Sequence, residues 1–301
     1  MEKFKLLTGS MRVPFLALPP ACVLLGIGVA VHEGAPITWF QVVLILIWAV
    51  LGHISVNALN EYDDFKTGLD SRTVRTPFSG GSGTLQAHPE LAGWVQTMAI
   101  IAIVIDAIIS LYFAFLRGWG IIPLGLLGLL VIYAYSVRFV YNPILCLIVP
   151  GIGFGTVMVM GTNYMLTGHY SWVAFAASMI PFFLVSNLLL LNQFPDVEAD
   201  LTVGRRHLPI VAGRKNSSLV YSFFLIATYL TIILGVVFGL FPLTTLIGLF
   251  TLPLAVMASL GAYRYANDIP KLIPSMGMNV ILNLVTPTLV AVGFFIAPVL
   301  H

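Results

Sequence analysis

The sequence is short of charge. Lys and Arg number 14 and Asp and Glu 12 among 301 residues, 9% of the chain, against about a quarter in an ordinary soluble domain. So few charges cannot cover the surface of a soluble protein of this size, which excludes a soluble enzyme. Cysteine is scarce as well. Cys22 and Cys146 both sit in apolar runs, which excludes a disulfide scaffold and makes them small buried hydrophobes. No sign of charge predominates: the net charge is +2, and no nucleic-acid footprint is expected. What fills the chain is apolar: 59% hydrophobic residues and a mean hydropathy of +0.99. That excludes a disordered chain and leaves a polytopic, all-α membrane protein.

A spanning helix needs about 20 mostly apolar residues. Nine stretches qualify, at about 12–32, 38–59, 91–115, 118–137, 143–166, 171–193, 217–239, 242–263 and 274–299. The first follows Lys3, Lys5 and Arg12 and superficially resembles a signal peptide. No small-residue cleavage site clearly closes it and eight similar stretches follow, so it reads as the first span. Several spans contain Pro, which membrane helices tolerate where neighbours satisfy the freed carbonyls. Trp94, Trp119 and Trp172 fall near expected membrane interfaces.

Orientation follows from Lys and Arg in the loops. With the N-terminus inside, Lys3, Lys5, Arg12, Lys66, Arg72, Arg75, Arg138, Arg205, Arg206, Arg214, Lys215, Arg264 and Lys271 fall on the inner side, and only Arg117 falls outside. That asymmetry supports an odd number of spans and a cytoplasmic N-terminus. No organelle transit segment is apparent, so a bacterial or archaeal cell membrane is the expected location.

Two inner loops are long and polar, at about 60–90 and 194–216, and a site at the membrane surface belongs there. The first opens Asn60-Glu61-Tyr62-Asp63-Asp64-Phe65-Lys66 and continues to Asp70. The second opens Asn192-Gln193-Phe194-Pro195-Asp196-Val197-Glu198-Ala199-Asp200. Each carries Asn-x-x-x-Asp at the inner end of an even-numbered span. Residues four apart share a helix face, so Asn60 pairs with Asp64, and Asn192 with Asp196 and Asp200 if the helix survives Pro195. Acidic loop residues are usually just solvated, and one such motif is weak. Here 7 of the 12 acidic residues lie in these two windows, each after a corresponding helix four spans apart. Clustered carboxylates with a carbonyl neighbour are hard oxygen ligands suited to Mg²⁺. Two such clusters face to face could clamp a diphosphate between metal ions and neutralise it as a leaving group. Lys66, Arg72 and Arg75 in one loop, and Arg205 and Arg206 in the other, add positive charge for phosphate oxygens.

These residues resemble the UbiA superfamily of intramembrane prenyltransferases. Asn60 to Asp70 is similar to that family's first aspartate-rich motif, with the longer spacing of the dihydroxynaphthoate (menaquinone) branch. Asn192 to Asp200, continuing through Gly204-Arg205-Arg206-His207-Leu208-Pro209, is similar to the second. Ser79-Gly80-Gly81-Ser82-Gly83, Tyr135-Ser136-Val137-Arg138 and Gly153-Phe154-Gly155 through Gly161 resemble further segments of the family. The resemblance covers nearly the whole chain and implies one domain over 1–301, a nine-helix bundle with a central cavity open to lipid.

It also implies the chemistry: Mg²⁺-dependent transfer of a polyprenyl chain from a prenyl diphosphate to an aromatic acceptor, for quinone biosynthesis of the menaquinone type. On that reading Asn60, Asp64, Asp70, Asn192, Asp196 and Asp200 hold Mg²⁺, with Asp64 and Asp196 essential to catalysis. Lys66, Arg72 and Arg206 bind the diphosphate. Tyr135 shields an allylic cation by cation–π attraction, and Arg138 orients the acceptor. Here the segment after Tyr135-Ser136 is Arg138-Phe139-Val140-Tyr141-Asn142-Pro143, without the Pro-rich run and carboxylate of many relatives. The alternatives are another phenol, a porphyrin-type ring or a glycerol lipid as acceptor. A transporter is a third class, but it would place its ionisable residues near mid-membrane, whereas here they cluster at the inner surface. Asp106 within the third span, His53 and the Gly80–Gly83 turn stand as candidates outside the assigned set, each also readable as packing or a flexible turn.

Overall fold

The computed structural model describes residues 2–299, with side chains from residue 6 onward; the Lys3 and Lys5 side chains lie outside the described residues. Among the described residues there are helices and loops and no strand. The long apolar helices are α1 (Val13–His32), α2 (Trp39–Thr67), α3 (Pro89–Arg117), α4 (Ile121–Val137), α5 (Pro143–Thr167), α6 (Trp172–Asn192), α7 (Arg214–Val237), α8 (Leu243–Arg264) and α9 (Ile269–Val299). All except α4, which has 17 residues, are long and apolar enough to cross a membrane. The protein is an integral membrane protein, and the nine expected apolar stretches match these nine helices.

The helix ends follow local chemistry. Thr38 and Gln41 form a reciprocal capping box at the start of α2, satisfying two orphan donors. Gly68 ends α2 in a left-handed conformation (φ 71°), where only glycine sits without strain. Asn142 caps α5 by accepting from the N–H groups of Ile144 and Leu145, both at 3.0 Å, and Pro143 follows where a missing N–H costs nothing. Pro150 then removes a donor inside α5, and residues Ile152–Met160 are wound as a π-helix. Such wide turns recur at functional sites. Side chains at Gly151 or Gly155 would run into the backbone of α6, so these glycines let α5 and α6 touch.

Helices adjacent in sequence pack against one another, and α9 packs on α1 to close the bundle. The core holds Leu25 and Val29 of α1, Ile180 and Leu184 of α6, and Val290 and Phe294 of α9, all fully buried. The outer faces are also apolar, with Ile108, Phe115, Leu126, Phe223, Phe250 and Leu260 exposed. A bundle apolar both inside and out is built for lipid. Its polar interior residues bond across helices: Asn187 Nδ2 donates to the Tyr221 carbonyl (2.8 Å), Asn279 Nδ2 to the Asn187 carbonyl (3.2 Å), and Asn163 Nδ2 to Glu33 (2.8 Å).

The motif-bearing segments collect at one end. α2 runs on to Thr67, past the expected 59, and carries Asn60 and Asp64 as helical residues. α6 stops at Asn192, and Pro195 keeps it from continuing. The chain turns and restarts as a short helix, Val197–Thr202, with Asp196 at its head. Asn192 and Asp196 are therefore not successive positions on one helix; a turn brings them together.

Candidate active site

His53, Asn57, Asn60 and Asp64 follow at helical spacing and form one polar stripe along α2. The stripe ends in a pocket whose lining includes Asn60, Asp64, Asp70, Asn192, Asp196 and Asp200, together with Tyr135, Arg12, Cys146, Gln193, Arg205 and His207. All six expected oxygen donors share this one pocket, and so does Tyr135. Asp70 reaches it because the loop after α2 folds back. Gly81 (φ 69°) passes so close to the Asp70 carboxylate that a Cβ there would stand 2.7 Å from Oδ1, so the glycine run is a fitted turn. Glu61, fully buried, anchors that turn by accepting from the Ser82 N–H (3.1 Å) and the Ser82 hydroxyl.

Arg205 organises the centre of the pocket. One guanidinium nitrogen donates to Asp64, and the other to Asp200 Oδ1 at 3.2 Å. His207 Nε2 lies 2.8 Å from the other oxygen of Asp200. Burial works against the Arg205 charge, yet the two carboxylates outweigh it and hold the guanidinium above its ordinary range. Asp196 is different. Burial pushes its carboxyl up to about 7, the nearby Asp200 charge adds to this, and a hydrogen bond from Ser79 and the Arg205 charge oppose it. Burial also raises Asp70, partly offset by the Gln86 amide, which donates at 2.8 Å.

Two oxygens in the pocket, Asn192 Oδ1 and Asp196 Oδ1, are buried without any hydrogen-bond partner. Buried orphan oxygens are rare and call for a ligand or a bound water. Here both are hard donors. Among the described residues no three His, Cys, Asp or Glu side chains converge closely enough to hold an ion alone. Mg²⁺ is usually held by one or two carboxylates plus substrate phosphate oxygens, and the donor set fits that mode.

A second, mostly apolar cavity adjoins the pocket. Arg12, Asn60, Tyr135 and Leu189 line both. From there it extends between α2, α3, α4 and α5 past Gly52, Gly125, Gly128, Gly153 and Phe154 to Trp48 and Asp106. Both ring nitrogens of His53 and one oxygen of Asp106 are buried in this region without hydrogen-bond partners.

The remaining expected residues lie outside both linings. Lys66 is exposed with its ammonium 4.5 Å from the Tyr62 ring centroid. Arg72 is exposed and donates to Thr202 Oγ1 at 3.0 Å, tying the two loops together. Arg206 and Arg138 are exposed at the rim. Two residues outside the assigned set are central. Arg12, the one non-glycine residue with positive φ (52°) among the described residues, donates to Asn60 Oδ1 at 3.3 Å and lies 3.9 Å from Glu61. Arg205 was visible only as one of two adjacent arginines, and nothing in their order says which one turns inward.

An all-helical membrane bundle with paired acidic and amide clusters beside an apolar cavity defines a membrane protein with an amphipathic internal site. The sequence profile of the UbiA prenyltransferase family matches residues 18–283, and the chain belongs to that family; it is a prenyltransferase. Similar proteins include a 1,4-dihydroxy-2-naphthoate octaprenyltransferase of Bacillus subtilis (28% identical over 54% of this chain), whose alignment spans 52% of that relative's length. A digeranylgeranylglyceryl phosphate synthase of Pyrococcus horikoshii is 26% identical over 75% of this chain and 79% of its own. Among solved structures, the apo UbiA homologue of Aeropyrum pernix superposes with a TM-score of 0.69 at 17% identity, covering 96% of this chain and 98% of that one. The Archaeoglobus fulgidus homologue bound to GPP and Mg²⁺ gives 0.59 at 16% identity, covering 92% and 99%. These structural likenesses establish the fold.

Proposed function

We propose that the chain transfers a prenyl group from a prenyl diphosphate to an aromatic acceptor, with 1,4-dihydroxy-2-naphthoate as the first acceptor to test. The observation that carries the donor half is the shared wall between the two cavities. A prenyl diphosphate is an anion joined to an apolar tail, and the acidic pocket opens into an apolar cavity through Asn60, Tyr135 and Leu189. The orphan oxygens of Asn192 and Asp196, with Asn60, Asp64, Asp70 and Asp200, would hold Mg²⁺ against the diphosphate. When bound, that ion neutralises the leaving group. Arg12 and Arg205 offer guanidinium donors beside it. Lys66, Arg72 and Arg206 add positive potential at the rim and steer the donor inward.

Tyr135 lines both cavities, and in this reading its ring would shield the positive charge that develops on the allylic carbon. The carbon–oxygen bond breaks with its electron pair going to the diphosphate. The allylic carbon then bonds to a carbon of the acceptor ring, and that carbon releases its proton, or carbon dioxide where it bore the carboxylate, leaving the bond's electron pair in the ring. Arg138, three residues beyond Tyr135, would dock an anionic acceptor at the entrance. The naphthoate-transferring relative supports this acceptor. The glycerol-lipid relative supports the second reading, in which the acceptor is a glycerol phosphate ether. The location we propose is a bacterial or archaeal cell membrane with N-terminus and site on the cytoplasmic side.

Purified protein incubated with a labelled prenyl diphosphate, Mg²⁺ and a panel of acceptors decides between them. An EDTA-sensitive prenylated naphthoate supports the reading; product only with a glycerol lipid replaces the acceptor; no diphosphate release with any donor overturns the function. In the same assay Arg138→Ala should raise KM for the acceptor at least about tenfold, the size of a lost charge-assisted hydrogen bond, and leave KM for the donor within twofold. Equal loss for both substrates removes Arg138 from acceptor docking.

The Asp196 carboxyl titrates near pH 7, and a carboxylate must be ionised to ligate. Mn²⁺ affinity of the donor-free protein should therefore be flat above pH 8. It should fall by up to tenfold per pH unit below about 6.5. Asp196→Asn should make the fall shallower while the remaining carboxylates still take up protons; an unchanged profile would remove Asp196 from the ligand set.

A further inference from the structure

The apolar cavity has a defined outer end. Its lining residues on α2 run from Asn60, which also belongs to the acidic pocket, back to Trp48. Twelve residues of helix span about 18 Å. At that end the Trp48 indole crosses from α2 to two other helices. Its Nε1 donates to Ser110 Oγ on α3 at 3.1 Å, and Ser110 in turn donates to the Asp106 carbonyl at 2.9 Å. The other edge of the indole lies against Gly161 of α5, where even a Cβ would stand 3.0 Å from Cη2. Trp48 is 5% exposed. Beyond it, Phe113, Met165 and Leu166 are fully buried. The indole is thus a bar fixed at both ends across the cavity.

We propose that Trp48 is the stop that sets how long a prenyl tail the cavity accepts. This rests on the reading that the donor's tail lies in this cavity. Three backbone bonds span 3.8 Å, so the four-bond repeat of an extended isoprene unit spans about 5 Å, and about three to four units fill the distance to the indole. A longer tail must fold back or turn aside towards lipid before it reaches Trp48. The stop is stiff because the indole N–H is satisfied inside an apolar region, where turning it away would orphan a donor. Ser110 is its anchor, itself held by the backbone carbonyl of Asp106 one turn earlier on α3.

The test is a donor series of two to eight isoprene units with wild type and two opposed variants. Trp48→Ala removes the bar. Gly125→Leu fills the cavity from α4 at a position where a Cβ meets nothing within 4 Å, so the added side chain occupies free space. The ratio of kcat/KM for a long donor to that for a short one should rise at least tenfold in Trp48→Ala and fall at least tenfold in Gly125→Leu. Ser110→Ala should shift it as Trp48→Ala does, by less. A ratio unchanged in Gly125→Leu, with transfer intact, overturns the proposal even if Trp48→Ala fails to fold. Absence of transfer and diphosphate release from every donor in the wild type would instead overturn the donor reading, and this proposal with it.

Discussion

Asp64→Asn and Asp196→Ala should each lower kcat/KM for prenyl transfer by about 10³-fold or more, the scale of losing electrostatic stabilisation at a developing anion, while the protein stays folded. The two positions reach that loss differently. Asp196 has one oxygen without any partner, so alanine there removes a ligand and little structure. Asp64 is held by Arg205, so asparagine, which keeps the shape and an acceptor, is the cleaner probe. The stability of Asp196→Ala gives an internal control. Burial raises this carboxyl from 3.8 to about 7, so the native state binds a proton more tightly than the unfolded chain. A raised carboxyl favours folding at low pH and loses that contribution as pH rises through the folded value. At pH 8 the ionised, buried group is a cost, and Asp196→Ala should melt at or above the wild-type Tm. Loss of transfer with a gain in Tm is the signature of a site held at the expense of stability. Retained transfer in either variant, measured as labelled product and as released diphosphate, would remove that residue from the site.

The fold was legible because its signal is long. Nine apolar stretches of about 20 residues leave little room for another architecture, and the motifs lie at helix ends that the stretches themselves mark. The oxygen donors were legible for the same reason: Asn60, Asp64, Asn192 and Asp196 recur at fixed positions after corresponding helices. What the sequence hid depends on chain direction after a break. Pro195 ends α6 so soon that Asp196 is placed by a turn rather than by helical spacing. A second turn, at Gly204 (φ 76°) after the short helix, precedes Arg205, which points inward, and Arg206, which points outward. Arg12 was legible only as an interfacial cation, because the contact that draws it in, to Asn60, spans 48 residues of sequence. Asp106 looked like a lone intramembrane acid until the helix packing set it on the same cavity wall as Trp48 of α2.

Arg205→Gln should separate two properties that usually move together. The guanidinium bonds to Asp64 and Asp200 at once, so in the donor-free protein it competes with a cation for those oxygens and repels it. Removing the charge should tighten Mn²⁺ binding to the donor-free protein by at least about tenfold, since two unit charges about 4 Å apart repel by about 1 kcal/mol in water and about 4 kcal/mol at an effective dielectric near 20. The same change should raise KM for the prenyl diphosphate about 10²-fold, the loss expected for one or two charge-assisted hydrogen bonds. Arg205→Lys restores a point charge without the fork that meets two carboxylates, and should recover the metal affinity of the wild type but only part of the donor binding. In EDTA, Arg205→Gln leaves Asp64 and Asp200 buried with no guanidinium between them. Removing one side of a buried pair is strongly destabilising, so its Tm should fall, and added Mg²⁺ should restore it by binding the native state alone. A merely structural arginine would give the Tm loss without the opposed changes in metal and donor affinity. If both affinities fall together, Arg205 props the pocket open rather than sharing its carboxylates with the metal, and the diphosphate must find its guanidinium partner in Arg12.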